Sequence, residues 1–222
     1  MRLITSGCSF TRYCWPTWAD YLGQHYEQSY NVGIPGADNA TIARHVLEFA
    51  LPGDLVIVLW SSYDRFSYIK DGTWQYNGSI RNTNKEFFTN MYDPVERFST
   101  TIDYVRLLEL HSQQNNYTLW HFSAYPWFLG EIEKSINPEL ITIHNKVTLK
   151  NHNLEENLFD FYHEMGVKYT NNRGLKNDDH PTPLHHWCYL EKIIAPTIGL
   201  DLNKDMLKQV MLDENIVLSG KA

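Results

Sequence analysis

The chain is 222 residues long, 43% apolar and 20% charged, a balance that excludes an intrinsically disordered polypeptide and suits one α/β domain with a sizeable core. A formal net charge of −7 excludes a general nucleic-acid binder, since no basic excess outweighs the acids. Three cysteines, Cys8, Cys14 and Cys188, cannot pair fully within one chain, which excludes a disulfide framework and suits a reducing, cytoplasmic setting.

Met1 to Thr5 is a short apolar run cut off at once by Ser6-Gly7, unlike a secretory signal, and no stretch reaches the roughly 18 apolar residues of a membrane span. The expectation is a soluble protein with no membrane partner. Arg2 to Thr5 reads as a short buried strand ending in a glycine turn. Pro16 opens a helix through Leu22, and Tyr30 to Gly33 is a second short strand. Asp38 or Asn39 caps a helix that carries Ile42, Val46 and Phe49 and stops at Pro52-Gly53. Asp54 to Trp60 is a continuous apolar strand of the kind buried on both faces of a parallel sheet.

Residues 61–96 show neither the helical nor the strand period and are rich in Tyr, Asn, Phe and Gly, so they read as an aromatic lid or side excursion. A long helix is expected over Pro94 to Asn115 and a strand over Tyr117 to Phe122, followed by an irregular stretch from Ser123 to Trp127. Further helices are expected at Leu154 to Met165, Pro183 to Ile194 and, more weakly, Asn203 to Val217, with a short strand at Gly166 to Tyr169. Strands alternating with helices imply a three-layer α/β/α, flavodoxin-like fold with a largely parallel central sheet, in one domain over 1–222.

Two segments stand out chemically. Ser9, in Gly7-Cys8-Ser9-Phe10-Thr11, lies just past the first strand, in a turn at the carboxyl edge of the sheet where α/β ligand sites form. Such a turn also presents unpaired N–H groups that can stabilise an oxyanion, although a serine there also serves simply as a helix cap. His180, in Asn177-Asp178-Asp179-His180-Pro181-Thr182-Pro183, is forced extended by the following proline, with a helix beginning at Thr182-Pro183. An imidazole held on a short loop beside carboxylates is what a general base requires; an acidic solvated turn is the plainer reading.

Taken together, Gly-x-Ser-x-Thr after the first strand and Asp-x-His-Pro before the last core helix resemble the first and last sequence blocks of the SGNH (GDSL-like) hydrolase superfamily, and the spacing covers nearly the whole chain. Asn31 to Asn39 resembles the second block, in which a glycine amide helps form the oxyanion hole; Gly36 matches that glycine, with Gly33 the second choice. The third block departs. Members carry Gly-x-Asn-Asp there, whereas this chain has Trp60-Ser61-Ser62-Tyr63-Asp64-Arg65, leaving the Ser61 or Ser62 hydroxyl as replacement donor, with Ser62 preferred. Loss of one oxyanion donor costs about two to three orders of magnitude in rate.

The resemblance implies a serine esterase or acyl hydrolase working through an acyl-enzyme and needing no cofactor or metal. Ser9 is the implied nucleophile, His180 the base and Asp178 its orienting acid, with Asp179 the alternative and Asn177 at the position where many members carry the acid. The oxyanion would be held by Ser9, Gly36 and Ser62. Arg65, read by itself, could bind an anionic group of the substrate, with Tyr63 the other substrate-binding candidate, although a salt bridge is the default for such an arginine. The implied partner is a small-molecule or carbohydrate ester, an O-acetylated sugar among the candidates. Oligomeric state stays open. The compact first block with Trp15-Pro16 is similar to phage and bacterial members, which implies a viral or host-cytoplasmic setting.

Two competing readings have different signatures. His180, His185, His186 and Cys188 with the two aspartates could ligate a metal, but adjacent histidines on a helix point about 100° apart and share one ion poorly. Alternatively, an SGNH-like fold with a weakened third block would be a binding module, its aromatic excursion receiving a glycan or protein partner.

Overall fold

The computed structural model describes residues 1–79, 93–125, 152–153, 156–165 and 180–218. The expected strand at 166–169, residues 80–92 of the expected excursion, the irregular stretch from 126 on to 151 and the residues Asn177, Asp178 and Asp179 lie outside them.

Strand β1 (Leu3–Gly7), helix α1 (Trp18–Gly23), strand β2 (Ser29–Asn31), helix α2 (Asn39–Phe49) and strand β3 (Leu55–Trp60) follow one another in the order anticipated. After them come β4 (Arg65–Lys70), β5 (Thr73–Ser79), α3 (Pro94–Asn115), β6 (Thr118–Ser123), β7 (His152–Asn153), α4 (Leu158–Glu164) and α5 (Pro183–Tyr189). Helix α5 continues through a π-helical turn (Leu190–Ile194) into α6 (Ala195–Ile198), and α7 (Met206–Leu218) is the last described helix.

Sequence chemistry sets these boundaries. Thr17 and Asp20 form a reciprocal capping box at the start of α1, so the helix begins after Pro16 rather than on it. Asp38 caps α2 by accepting from the Thr41 amide at 2.9 Å, and Asp93 caps α3 ahead of Pro94. α4 starts at Leu158 behind an Asn157 cap, later than the apolar pattern suggested.

The strands β2-β1-β3-β6-β7 form one sheet, every neighbouring pair parallel. Continuous apolar strands make this possible. Leu55, Ile57 and Leu59 of β3 face one core with Leu3, Phe122, Trp187 and Ile194, while Val56, Val58 and Trp60 face the other with Ile4, Ile42, Val46 and Leu108. Helices α1, α4, α5 and α7 cover the first face and α2 and α3 the second, giving the expected α/β/α layers. In this strand order the direction of winding reverses between β1 and β3, and α/β folds bind ligands at the carboxyl ends of strands flanking such a switch.

The excursion after β3 corrects the sequence reading for its first part. Residues 65–79 are not aperiodic; they form an antiparallel β4–β5 hairpin turning at Asp71-Gly72, both with positive φ (51° and 74°). Asp-Gly is the preferred pair for that two-residue turn, and the aromatic content hid the signal. No described helix is long and apolar enough to cross a membrane.

At the opposite sheet edge, Arg2 grips Asp54 with two bonds, Nε to Oδ1 at 2.9 Å and Nη2 to Oδ2 at 2.6 Å, while the Leu51 amide donates to Oδ2 at 2.8 Å. Burial pushes the Asp54 carboxyl up, but the Arg2 fork and the Leu51 amide outweigh it and hold the group below the usual carboxylate range. That stabilisation is therefore complete above the unfolded pKa and is lost as pH falls through the folded value. Asp54→Ala should cost about 2 kcal/mol at pH 7 and progressively less towards pH 3, measured by urea unfolding across pH.

Candidate active site

The loop after β1 is fixed by steric necessity. A Cβ on Gly7 would meet Thr11 Oγ1 at 2.0 Å and the Leu59 carbonyl of β3 at 2.9 Å, so only glycine lets the chain fold back there. The turn closes with the amides of Thr11 and Arg12 donating to the Cys8 carbonyl at 2.9 and 3.1 Å. The leading amides of such a turn, Ser9 and Phe10, have no acceptor inside it. Cys8 points into the core, fully buried, while Ser9 is 5% exposed. Asn31 and Thr17 both donate to the Thr11 carbonyl, at 2.8 and 2.5 Å, and anchor the turn from below.

His180 meets Ser9 across 171 positions of sequence, with Nε2 2.8 Å from Oγ. For the serine hydroxyl to donate, Nε2 must be bare, so the neutral ring carries its proton on Nδ1. Helix α5 places the histidine as anticipated, with Thr182 at the cap and Pro183 first inside.

The sequence did not announce what holds the ring. Tyr13 stacks on His180 with centroids 4.1 Å apart and planes 15° from parallel, and Phe10 meets it edge-on at 5.5 Å. Trp15 packs edge-on against Tyr13 and donates its indole N–H to the Pro181 carbonyl at 2.9 Å. The only sequence signal was the density of aromatics directly after Ser9.

The second loop is zipped onto the first. The Val32 and Ile34 amides donate to the Thr5 and Gly7 carbonyls at 2.9 and 3.0 Å, and Ala37 donates to Ile34 at 3.0 Å, closing a turn over Pro35-Gly36. Gly36 has φ 80°, the value a type II turn requires at its third residue. Gly33 lies against the Ser9 turn instead, where a Cβ would crowd Arg12 and Thr11 at 3.1 and 3.2 Å.

The third loop has no asparagine of its own, but Asn39 of α2 reaches it. Its Oδ1 accepts from the Ser61 amide at 2.9 Å, and its Nδ2 donates to the Ser61 carbonyl and to Thr101 Oγ1, both at 3.1 Å. Ser61 Oγ is buried without a hydrogen-bond partner, and Ser62 is half-buried. Arg65 pairs with no carboxylate among the described residues. Its Nη2 donates to the Tyr125 hydroxyl at 3.3 Å, and Tyr125 stacks on Phe10 at 5.3 Å. Burial pushes the Tyr125 phenol up to about 12, against the lowering effect of the Arg65 guanidinium. Tyr63 packs edge-on against Phe98.

Helix α5 carries two further histidines, and both ring nitrogens of His186 and Nε2 of His185 are buried without a hydrogen-bond partner among the described residues. His185 is buried in α5 with Nδ1 accepting from the Thr182 amide at 3.1 Å, and His186 is buried in the same helix. Cys188 is half-buried beside the α5 core. Among the described residues no three metal-ligating side chains converge.

No family model matches the chain, and no curated protein matches it. Among solved structures, it is similar to a GDSL-like lipase from Bacteroides thetaiotaomicron, at 13% identity over 89% of this chain and 88% of that one, with a TM-score of 0.42. A protein described as an acylhydrolase from Bacteroides fragilis aligns at 15% identity over 89% and 86%, with a TM-score of 0.44. The Ser9–His180 geometry is independent of both.

Burial holds the His185 imidazole down at about 4, so acidification from 6.5 towards 4 protonates it in the unfolded chain first and erodes stability. His185→Gln should flatten the loss of stability between pH 7 and 5 by about 2 kcal/mol in urea titrations. Trp15→Phe removes the Pro181 hydrogen bond while keeping the packing, and should cost about 1 kcal/mol of stability in urea unfolding.

Proposed function

We propose that the chain is a serine acyl hydrolase of the SGNH type, with Ser9 as nucleophile and His180 as general base. The observation that carries this reading is the 2.8 Å contact between Ser9 Oγ and His180 Nε2 at the switch point of a parallel sheet. Neither residue has a structural need for the other, since α5 is capped by Thr182 and the nucleophile turn is anchored by Thr17 and Asn31.

Ser9 Oγ attacks the ester carbonyl as its proton passes to Nε2; collapse of the tetrahedral adduct breaks the C–O bond and returns that proton to the leaving alcohol. Water, deprotonated by the same imidazole, then cleaves the acyl-enzyme and restores the serine. The acid expected on Nδ1 is Asp178, with Asp179 as the alternative. Oxyanion donors on this reading are the amides of Ser9 and Gly36 and the hydroxyl of Ser62, with the partnerless Ser61 Oγ as a second candidate. The ester is a small molecule, and a carbohydrate O-acetyl group is one form it could take.

Ser9→Ala and His180→Ala should each lower kcat/KM for p-nitrophenyl acetate by at least about a thousandfold while leaving the melting temperature nearly unchanged. Retention of most activity in either variant would sink the dyad. Asp178→Asn should be more damaging than Asp179→Asn, and the reverse order would move the acid to Asp179.

A further inference from the structure

Although the chain is acidic overall, three of its eight arginines line one cavity of about 210 Å³, roughly seven water volumes. They come from three elements: Arg44 from α2, Arg65 from β4 and Arg97 from α3. No lysine lines the cavity, and a planar guanidinium fork suits carboxylate, phosphate or sulfate better than a point charge does.

The charges there are poorly neutralised. Asp38 is the one carboxylate on the lining, and its two oxygens already accept from the Thr41 and Ser67 amides at 2.9 and 2.7 Å. Arg97 makes a solvent-side contact with its neighbour Glu96 at 3.5 Å. No carboxylate pairs with Arg44 among the described residues; its guanidinium lies over the Trp74 ring at 4.2 Å, which fixes the fork without consuming its donors. The charge of Asp64 acts on Arg65, yet Arg65 Nη1 is buried with no hydrogen-bond partner.

Arg65 also ties the cavity to the chemistry, since its Nη2 bonds Tyr125, which stacks on Phe10 of the nucleophile turn. Trp74, Tyr63 and Tyr104 add ring faces, and Thr100 and Ser67 add hydroxyls. We infer that this cavity seats an oxyanion carried on a ring and that the ester substrate is therefore an anionic one, an inference that rests on Ser9 being the nucleophile.

The test separates binding from hydrolysis. Full-length Ser9→Ala protein is titrated calorimetrically with glucuronate, glucose 6-phosphate and glucose. At least one of the two anions should bind about tenfold or more tightly than glucose, and whichever binds more tightly names the carboxylate or the phosphate as the group recognised. Arg44→Gln and Arg65→Lys, each confirmed folded by thermal melting, should each weaken that binding about tenfold or more; if Arg65→Lys does not fold, Arg44→Gln carries the test. Equal affinity for glucose and both anions, or anion binding that survives Arg44→Gln, would overturn the anion site. In the active protein, kcat/KM for acetylated glucuronate should exceed that for acetylated glucose about tenfold or more, and equal values would overturn the anionic substrate. Anion binding without hydrolysis of any acetate would leave the cavity as an oxyanion site but remove it from catalysis. Hydrolysis of neutral esters without anion binding would keep the hydrolase and remove the inference.

Discussion

A serine and a histidine 171 positions apart can meet only if both are held, and the aromatic clamp after Ser9 does the holding. Tyr13 lies flat on His180, Phe10 closes its edge, and Trp15 ties the next residue, Pro181, by a hydrogen bond through its indole. One short segment therefore supplies both the Ser9 hydroxyl and the surfaces that hold the His180 ring against it. The glycine before it is equally necessary, because a side chain at Gly7 would collide with Thr11 and with the β3 backbone. Ser9 sits at the strand-order reversal because β1 and β3 flank that switch point.

The loops beside Ser9 are arranged by backbone bonds rather than by their own sequence signatures. Ile34 donating to the Gly7 carbonyl brings the Pro35-Gly36 turn alongside, and Asn39 clasps the backbone of Ser61 at the end of β3. Asn39 thus fixes the third loop from the second, in a chain whose third loop has no asparagine. The hairpin that follows carries Arg65 away from bulk solvent and towards Tyr125, against a chain that is acidic overall.

Much of this was legible in the residues. The run Leu55 to Trp60 has no polar interruption, so it had to be a strand covered on both faces, and Asp93-Pro94 marks the start of α3 by capping chemistry. Glycine, proline and cap signals marked the turn at Ser9 and the loop at His180, but the expectation that the two pair came from the resemblance of their blocks taken together. What escaped was of two kinds. Short elements carry too little pattern, as with the two residues of β7, and the aromatic richness of 65–79 masked a hairpin that Asp71-Gly72 encodes. Contacts between distant segments, Trp15 with Pro181 and Asn39 with Ser61, leave no local trace because a tryptophan also suits an ordinary core and an asparagine at that place also suits a helix start.

The central claim is that Ser9 is a nucleophile activated by His180. Its most direct measurement is reaction with a fluorophosphonate probe followed by mass mapping of the modified peptide. The account requires one adduct per chain, on Ser9, with labelling much slower in His180→Ala. An adduct on another residue, or a folded protein that the probe leaves unmodified, would contradict it.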